Sequence, residues 1–200
     1  MHAAVDAAFD NERVARSLSG FAASIATAGW SNSLAAKLIQ LTAPGVPDVY
    51  QGSELWERSL VDPDNRRPVD FAERRRLLAL VDDGELPAVG PDGTAKLLVT
   101  SRVLRARRDR PELFDRYLPL PVIGPAARHA VAADRGGAIP VATRLPIGLA
   151  TRGGWGDTVL LVAPGRYVDA FTGTAFDGDT LALGEILARY PVALLLRNEG

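Results

Sequence analysis

The chain contains no cysteine, one methionine and two histidines among its 200 residues. Without cysteine there is no disulfide framework, no thiolate nucleophile and no thiolate metal site. The histidines, His2 and His129, lie far apart, and neither has metal-ligand spacing around it. No cofactor or metal is therefore expected, and His129 reads as a packed or hydrogen-bonded residue in a strand. Charge of one sign is also lacking: 23 basic residues face 24 acidic ones, for a formal net charge of −1. That balance offers no general attraction to nucleic acid or to an anionic membrane. No apolar run approaches the ~20 residues of a membrane span. The first ten residues carry Asp6 and Asp10 and lack the basic-then-apolar order of a signal peptide. The Gly-Gly pairs do not precede helices as phosphate loops do.

What is present is a chain that is 47% hydrophobic, long enough for one domain or two small ones. Its organising stretch is Leu41-Thr42-Ala43-Pro44-Gly45-Val46-Pro47-Asp48-Val49-Tyr50-Gln51-Gly52-Ser53-Glu54. Pro44 and Pro47 push the residues before them out of the helical region, so a helix ends there. The run Val46–Tyr50 is expected to be a strand, with Gly52 permitting a sharp exit. Upstream, Val14, Leu18, Phe21, Ala22 and Ile25 recur at helical spacing. Gly29 is read as that helix's end, and Ser31 or Ser33 as the cap of a second helix through Leu34, Leu38 and Leu41.

Residues 55–70 read as an ordered polar loop. A short helix is expected from Phe71 to Val81 and a longer one from about Thr94 to Asp109, the latter with a stripe of Leu97, Ser101, Leu104 and Arg108 widened by Leu98. Its arginines (102, 105, 107, 108 and 110) are spread round the helix, which favours a solvated or ion-paired face over a nucleic-acid site. Beyond Tyr117 the texture changes to short β-branched runs at 127–133, 139–145, 158–163, 166–171 and 191–197, separated by glycine turns. They are expected to form a small antiparallel β-sandwich. A boundary near Pro119–Pro121 divides the chain into 1–118 and 119–200.

The polar loop is the best functional candidate. Asp62, Asp64, Asn65, Arg66, Arg67 and Asp70 converge beside the strand end, and such groups bind sugar hydroxyls through directional hydrogen bonds. The plainer reading is a self-braced loop whose aspartates pair its arginines. Tyr50, Gln51 and Glu54 can line a sugar cleft by stacking and hydrogen bonding, with Trp56 as a second platform. Ordinary packing for Tyr50 and Trp56, and an arginine of the polar loop as partner for Glu54, are the alternatives.

Ala43–Glu54 resembles the eighth barrel strand and following loop of the α-amylase superfamily. Leu60-Val61-Asp62-Pro63-Asp64-Asn65-Arg66-Arg67-Pro68-Val69-Asp70-Phe71 narrows the likeness to the maltooligosyl trehalose synthases. Trp155-Gly156-Asp157-Thr158, Phe171-Thr172-Gly173 and Pro191–Leu196 agree with that family's C-terminal region. The resemblance implies an α+β chain: the C-terminal piece of a (β/α)8 barrel, helices plus its last strand, followed by the sandwich. It also implies a glucosylmutase, an isomerase of trehalose biosynthesis that turns the reducing-end α-1,4 bond of a maltooligosaccharide into an α,α-1,1 bond. An arginine beside the reacting sugar corresponds to Arg66 or Arg67, the doublet leaving the register open. Family members are several-fold longer, with their catalytic carboxylates on earlier strands, so no catalytic residue is assigned and the chain alone is expected to be inactive. The expected partners are a maltooligosaccharide and the missing N-terminal part of the barrel, or a second copy, in a cytoplasmic setting. A non-catalytic glucan-binding module and a fragment of another amylase-superfamily hydrolase are the alternatives.

Overall fold

Local signals set the helices, and the computed structural model, which describes residues 2–59 and 66–198, shows where those signals are overruled. Helix α1 spans His2–Phe9 and α2 spans Glu12–Thr42. Asn11 caps α2, its side chain accepting from the amides of Arg13 and Val14. The expected break at Gly29 does not occur. A glycine inside a helix costs only about 1 kcal/mol, and the buried Leu34, Leu38 and Leu41 of the following turns more than offset it. The helix stops before Pro44, as that ring requires.

Residues 46–50 belong to no helix or strand. The expected strand fails for want of neighbours. Val46 is 95% exposed, and side chains satisfy the nearby backbone instead. Gln40 Nε2 donates to the Asp48 carbonyl at 2.8 Å, and Arg107 donates to the carbonyls of Leu41 and Gly45.

Helix α3 (Phe71–Asp82) and helix α4 (Thr94–Asp109) fall where the periodicity puts them. The buried face of α4 differs from the expected stripe. Leu97 and Leu98 of that stripe are buried, but Leu104 is exposed and Ala95, Val99, Val103 and Ala106 are inside as well, because α4 is wrapped by α2 and the sheet together. Its arginines fasten neighbouring segments: Arg102 donates to the Val81 carbonyl, Arg105 pairs with Asp82, and Arg110 pairs with Glu112.

The C-terminal strands are β1 (Leu118–Pro119), β2 (Val122–Ile123), β3 (Ala130–Asp134), β4 (Ala138–Thr143), β5 (Val159–Asp169), β6 (Ala175–Ala182) and β7 (Val192–Asn198). Short helices α5 (Pro146–Thr151) and α6 (Leu183–Ile186) interrupt them. All pairings are antiparallel, in the order β1-β3-β4-β7-β5-β2, with β6 on β5. This is one continuous seven-stranded sheet where a two-sheet sandwich was expected. Its two ends, β1 and β2, are successive parts of one segment. Leu120 N–H donates to the Ala132 carbonyl and Leu161 N–H to that of Pro121, so this segment bridges β3 and β5 and curls the sheet toward closure. The two runs expected at 158–163 and 166–171 are a single strand with an irregular register between Leu161 and Gly165. Strand β6 was not expected: it is mostly exposed at the edge and runs straight through Asp177-Gly178, which reads as one of the glycine turns.

Alternation along β4 and β7 sends side chains to two cores. Ala138, Ala142, Val192 and Leu194 face the helices, packing with Leu34, Leu38, Leu41, Leu98 and Val103. Ile139, Val141, Ala193 and Leu195 face inward with Leu160, Tyr167 and Leu183. His129 is buried, as expected, with Nδ1 3.2 Å from the Leu145 carbonyl, but it ends a 3-10 turn (Ala127–His129) just before β3 and does not lie in the strand. Among the described residues no helix is long and apolar enough to cross a membrane.

Candidate functional site

The exit from residues 46–50 is a tight turn. Gly52 has φ +90°, and a Cβ there would press on Val69 at 3.1 Å, so glycine is needed both for conformation and for close approach. Opposite this turn lies the start of α3. Asp70 caps that helix, its carboxylate accepting from the Glu73 amide at 2.9 Å. Between the two runs an open cleft of ≈580 Å³, whose rim carries Gln51, Arg67, Asp70 and Arg74, with Trp56 and Glu57 also lining it. This volume suits a small ligand.

Arg74 braces the cleft. Its Nε donates to Glu54 Oε2 at 3.1 Å, one terminal nitrogen to the Gly52 carbonyl at 2.7 Å, and the other to the Asp70 carbonyl at 3.1 Å. One planar fork thus fixes the turn to the cap of α3. Of the sequence candidates, Gln51, Arg67 and Asp70 meet in the cleft. Glu54 is bound to an arginine, one on α3 and not in the loop as the alternative had it, and Tyr50 is largely exposed. Arg66 is exposed in the short turn before Pro68. Asp62, Asp64 and Asn65 lie outside the described residues. Arg74 was not singled out from sequence. Its signal was an arginine four residues beyond an N-capping aspartate, which also fits a solvated helix face.

Trp56 is committed to packing. Its ring stacks on Trp30 (centroids 6.4 Å apart, planes 10° from parallel), and its Nε1–H donates to the Gly90 carbonyl at 2.7 Å. Gly93, at φ +78°, makes room for it, since a Cβ there would lie 2.7 Å from the Trp56 amide nitrogen. Lys96 sits 5.8 Å from the Trp56 ring centroid and donates to the Leu55 carbonyl at 2.8 Å. Among the described residues no cluster of three His, Asp or Glu side chains is placed to hold a metal.

Burial pulls the Lys96 ammonium down from 10.5 to about 8, assisted by the like charge of Lys37 and opposed by Glu57 and Glu54. Glu57 is itself held below the usual 4.5, first by the hydroxyl and amide of Ser59. A lysine whose folded pKa is depressed binds fewer protons folded than unfolded between about 8 and 10.5, so folding stability rises with pH across that window. The full shift corresponds to about 3 kcal/mol, which screening beside an open cleft reduces to about 1–2. Urea midpoints from pH 7.5 to 10 should therefore rise for the wild type relative to Lys96→Met. Parallel curves for the two proteins would contradict this.

No family model matches the chain. Comparison with known proteins nevertheless gives a consistent answer. The chain is 44% identical over 201 residues to a Mycobacterium tuberculosis protein named as a maltooligosyl trehalose synthase, covering 99% of this chain and 24% of that protein. The solved maltooligosyltrehalose synthase of Arthrobacter ramosus superposes with a TM-score of 0.93 at 52% identity, over 97% of this chain and 26% of that one. A maltooligosyl trehalose synthase structure from Sulfolobus tokodaii superposes with a TM-score of 0.62 at 26% identity, over 96% of this chain and 24% of that one. The chain thus spans about a quarter of the length of these relatives. With its cleft-side turn, its α3 cap and its curled sheet all falling within the matched region, the chain is similar over nearly its whole length to one part of the maltooligosyl trehalose synthases.

Proposed function

We propose that this chain is the C-terminal part of a glucosylmutase acting on maltooligosaccharides, and that it supplies one wall of that enzyme's sugar cleft. The observation that carries this reading is the ≈580 Å³ cleft, where Gln51, Arg67, Asp70 and Arg74 converge beside the Gly52 turn. In the whole enzyme residues 46–50 would gain the neighbours they lack here and become the last strand of a (β/α) barrel. Residues 119–200 would then form a separate β domain, with the boundary at Pro119.

By family likeness the reaction breaks the reducing-end α-1,4 bond: a carboxylate on an earlier strand bonds the anomeric carbon of the glycosyl chain while a paired acid-base residue gives its proton to the departing 4-oxygen of the glucose. The freed glucose turns, and its anomeric hydroxyl attacks that glucosyl-enzyme bond to give the α,α-1,1 linkage. The carboxylate leaves and the hydroxyl proton goes to the paired acid-base residue. This chain's task is to retain the glucose and keep water from reacting in its place. Glu54 is held by Arg74, and Asp70 caps a helix, so neither is poised for bond breaking. The isolated chain is accordingly inactive.

A charged hydrogen bond to a sugar hydroxyl is worth about 1.5–3 kcal/mol. In the full-length enzyme carrying this segment, Arg66→Ala or Arg67→Ala should raise the ratio of free glucose to trehalose-ended product by about tenfold or more. Chromatographic product analysis reads that ratio. An unchanged ratio in both variants would remove the retention role.

A further inference from the structure

Helix α2 has two apolar stripes, and they face different ways. At about 100° per residue, Val14, Leu18, Phe21 and Ile25 fall within one narrow sector, while Leu34, Leu38 and Leu41 centre roughly 160° away. The second stripe is buried against α4 and the sheet. The first is open: Leu18 is 59% exposed and Phe21 66%. On α1, Val5 and Phe9 are one turn apart and exposed as well. Ile39, in the same sector as the first stripe, is also exposed. Residues 12–25 of α2 are exposed on every side. Where the helix leaves the sheet, an apolar groove of ≈520 Å³ opens between Thr27 and Ala28 on one side and Ile147, Leu149, Trp155 and Leu187 on the other. An isolated helix of about 12–15 residues is marginal in water, and an amphipathic one is stabilised chiefly by burying its apolar face.

We propose that the stripe Val14–Leu18–Phe21–Ile25, with Val5 and Phe9, docks this chain onto the remaining three quarters of the polypeptide found in its relatives. This rests on the reading of the chain as part of that longer enzyme. Two observations favour this occupant over a second copy. The chain matches relatives about four times its length, so a large body of protein is available to receive the helix. A single stripe of four side chains would bury only some hundreds of Å² per copy, short of the roughly 800 Å² per partner of a stable dimer. A segment exposed all round suits enclosure within a larger body better than one flat contact.

The test mixes the purified chain with a separately purified piece comprising the part of the Arthrobacter ramosus enzyme outside the matched region, co-expressing the two if that piece is insoluble alone. Calorimetry or co-purification reads association, and hydrogen exchange reads the amides of residues 12–28. Expected is a one-to-one complex with those amides protected at least tenfold more than in the free chain. Leu18→Asp with Phe21→Asp should weaken association by about a hundredfold or more, whereas Leu118→Ser, equally exposed but on the sheet, should change it by less than about threefold. No association, association indifferent to the double substitution, or concentration-dependent dimers of the free chain that Phe21→Asp abolishes would each overturn the proposal. Activity of the reassembled pair on maltopentaose is read separately. A stripe-dependent but inactive complex would leave the docking face standing and sink the functional reading instead.

Discussion

Arg135→Ala should lower the stability of the chain by about 3 kcal/mol or more, seen as a lower urea midpoint with little change in slope. Arg135 is almost wholly buried and points back from the β3–β4 turn. Its guanidinium donates to three carbonyls: Thr42 at the end of α2, Phe114 at the end of the short 3-10 helix (Pro111–Phe114), and Arg116. These carbonyls end helical segments or follow one, so they lack intrahelical partners. A cation at a helix C-terminus also meets the negative end of the helix dipole. Removing the side chain strands all three acceptors in a site where water has little access, each costing about 1–3 kcal/mol if left unpaired. Arg135→Lys should recover less than half of the loss, because a point ammonium cannot span three acceptors as a planar fork does. Full stability in Arg135→Ala would show that the helix end and the hairpin are held together by apolar packing alone.

Asp169→Ala should be of similar size, about 3 kcal/mol, for the opposite reason: it strands donors. The Asp169 carboxylate is buried and accepts from the amides of Phe171, Thr172 and Leu194 and from the Thr172 hydroxyl at 2.7 Å. It thereby ties the turn after β5 to the centre of β7. Burial pushes its pKa above the ordinary 3.8, against the pull of those hydrogen bonds. A carboxyl with a raised folded pKa holds a proton in the folded state over a window where the unfolded chain has released it. That contribution is complete below pH 3.8 and is lost as pH rises through the folded value. Asp169→Asn removes this titration while keeping the shape. The wild type should therefore gain stability relative to Asp169→Asn as pH falls from 7 toward 4. A constant difference between the two across that range would contradict the assignment.

The sequence revealed much of the local structure and less of how its parts meet. Helices α3 and α4 were legible because their apolar spacing and their stops, Asp82-Asp83-Gly84 and Pro111, are local signals. The Gly29 break was misread because a local cost of about 1 kcal/mol is visible in sequence, while the buried leucines that outweigh it act through tertiary contact. Residues 46–50 have the residue types of a strand, yet strands exist only in pairs, and among the described residues none is placed to pair with them. Strand β6 escaped notice since an edge strand needs no apolar alternation. At the site, Gln51, Arg67 and Asp70 were legible as polar groups near a strand end. Arg74 was not, because joining Glu54, Gly52 and Asp70 depends on α3 folding back across twenty residues of chain.

By itself the sequence determined the family likeness: residues 60–71 and the stretch at 43–54 point to the maltooligosyl trehalose synthases without any coordinates, because side-chain identity at fixed spacing is all that a motif requires. It also determined where most helices begin and end, since caps and prolines act within a few residues. It took the packing of distant segments to keep α2 unbroken, to let one segment bridge β3 and β5 and curl a single sheet, and to bring Arg74 and Arg135 to backbone carbonyls far along the chain. Those outcomes depend on which surfaces are brought together, and a linear order of residues does not state the distance between two surfaces.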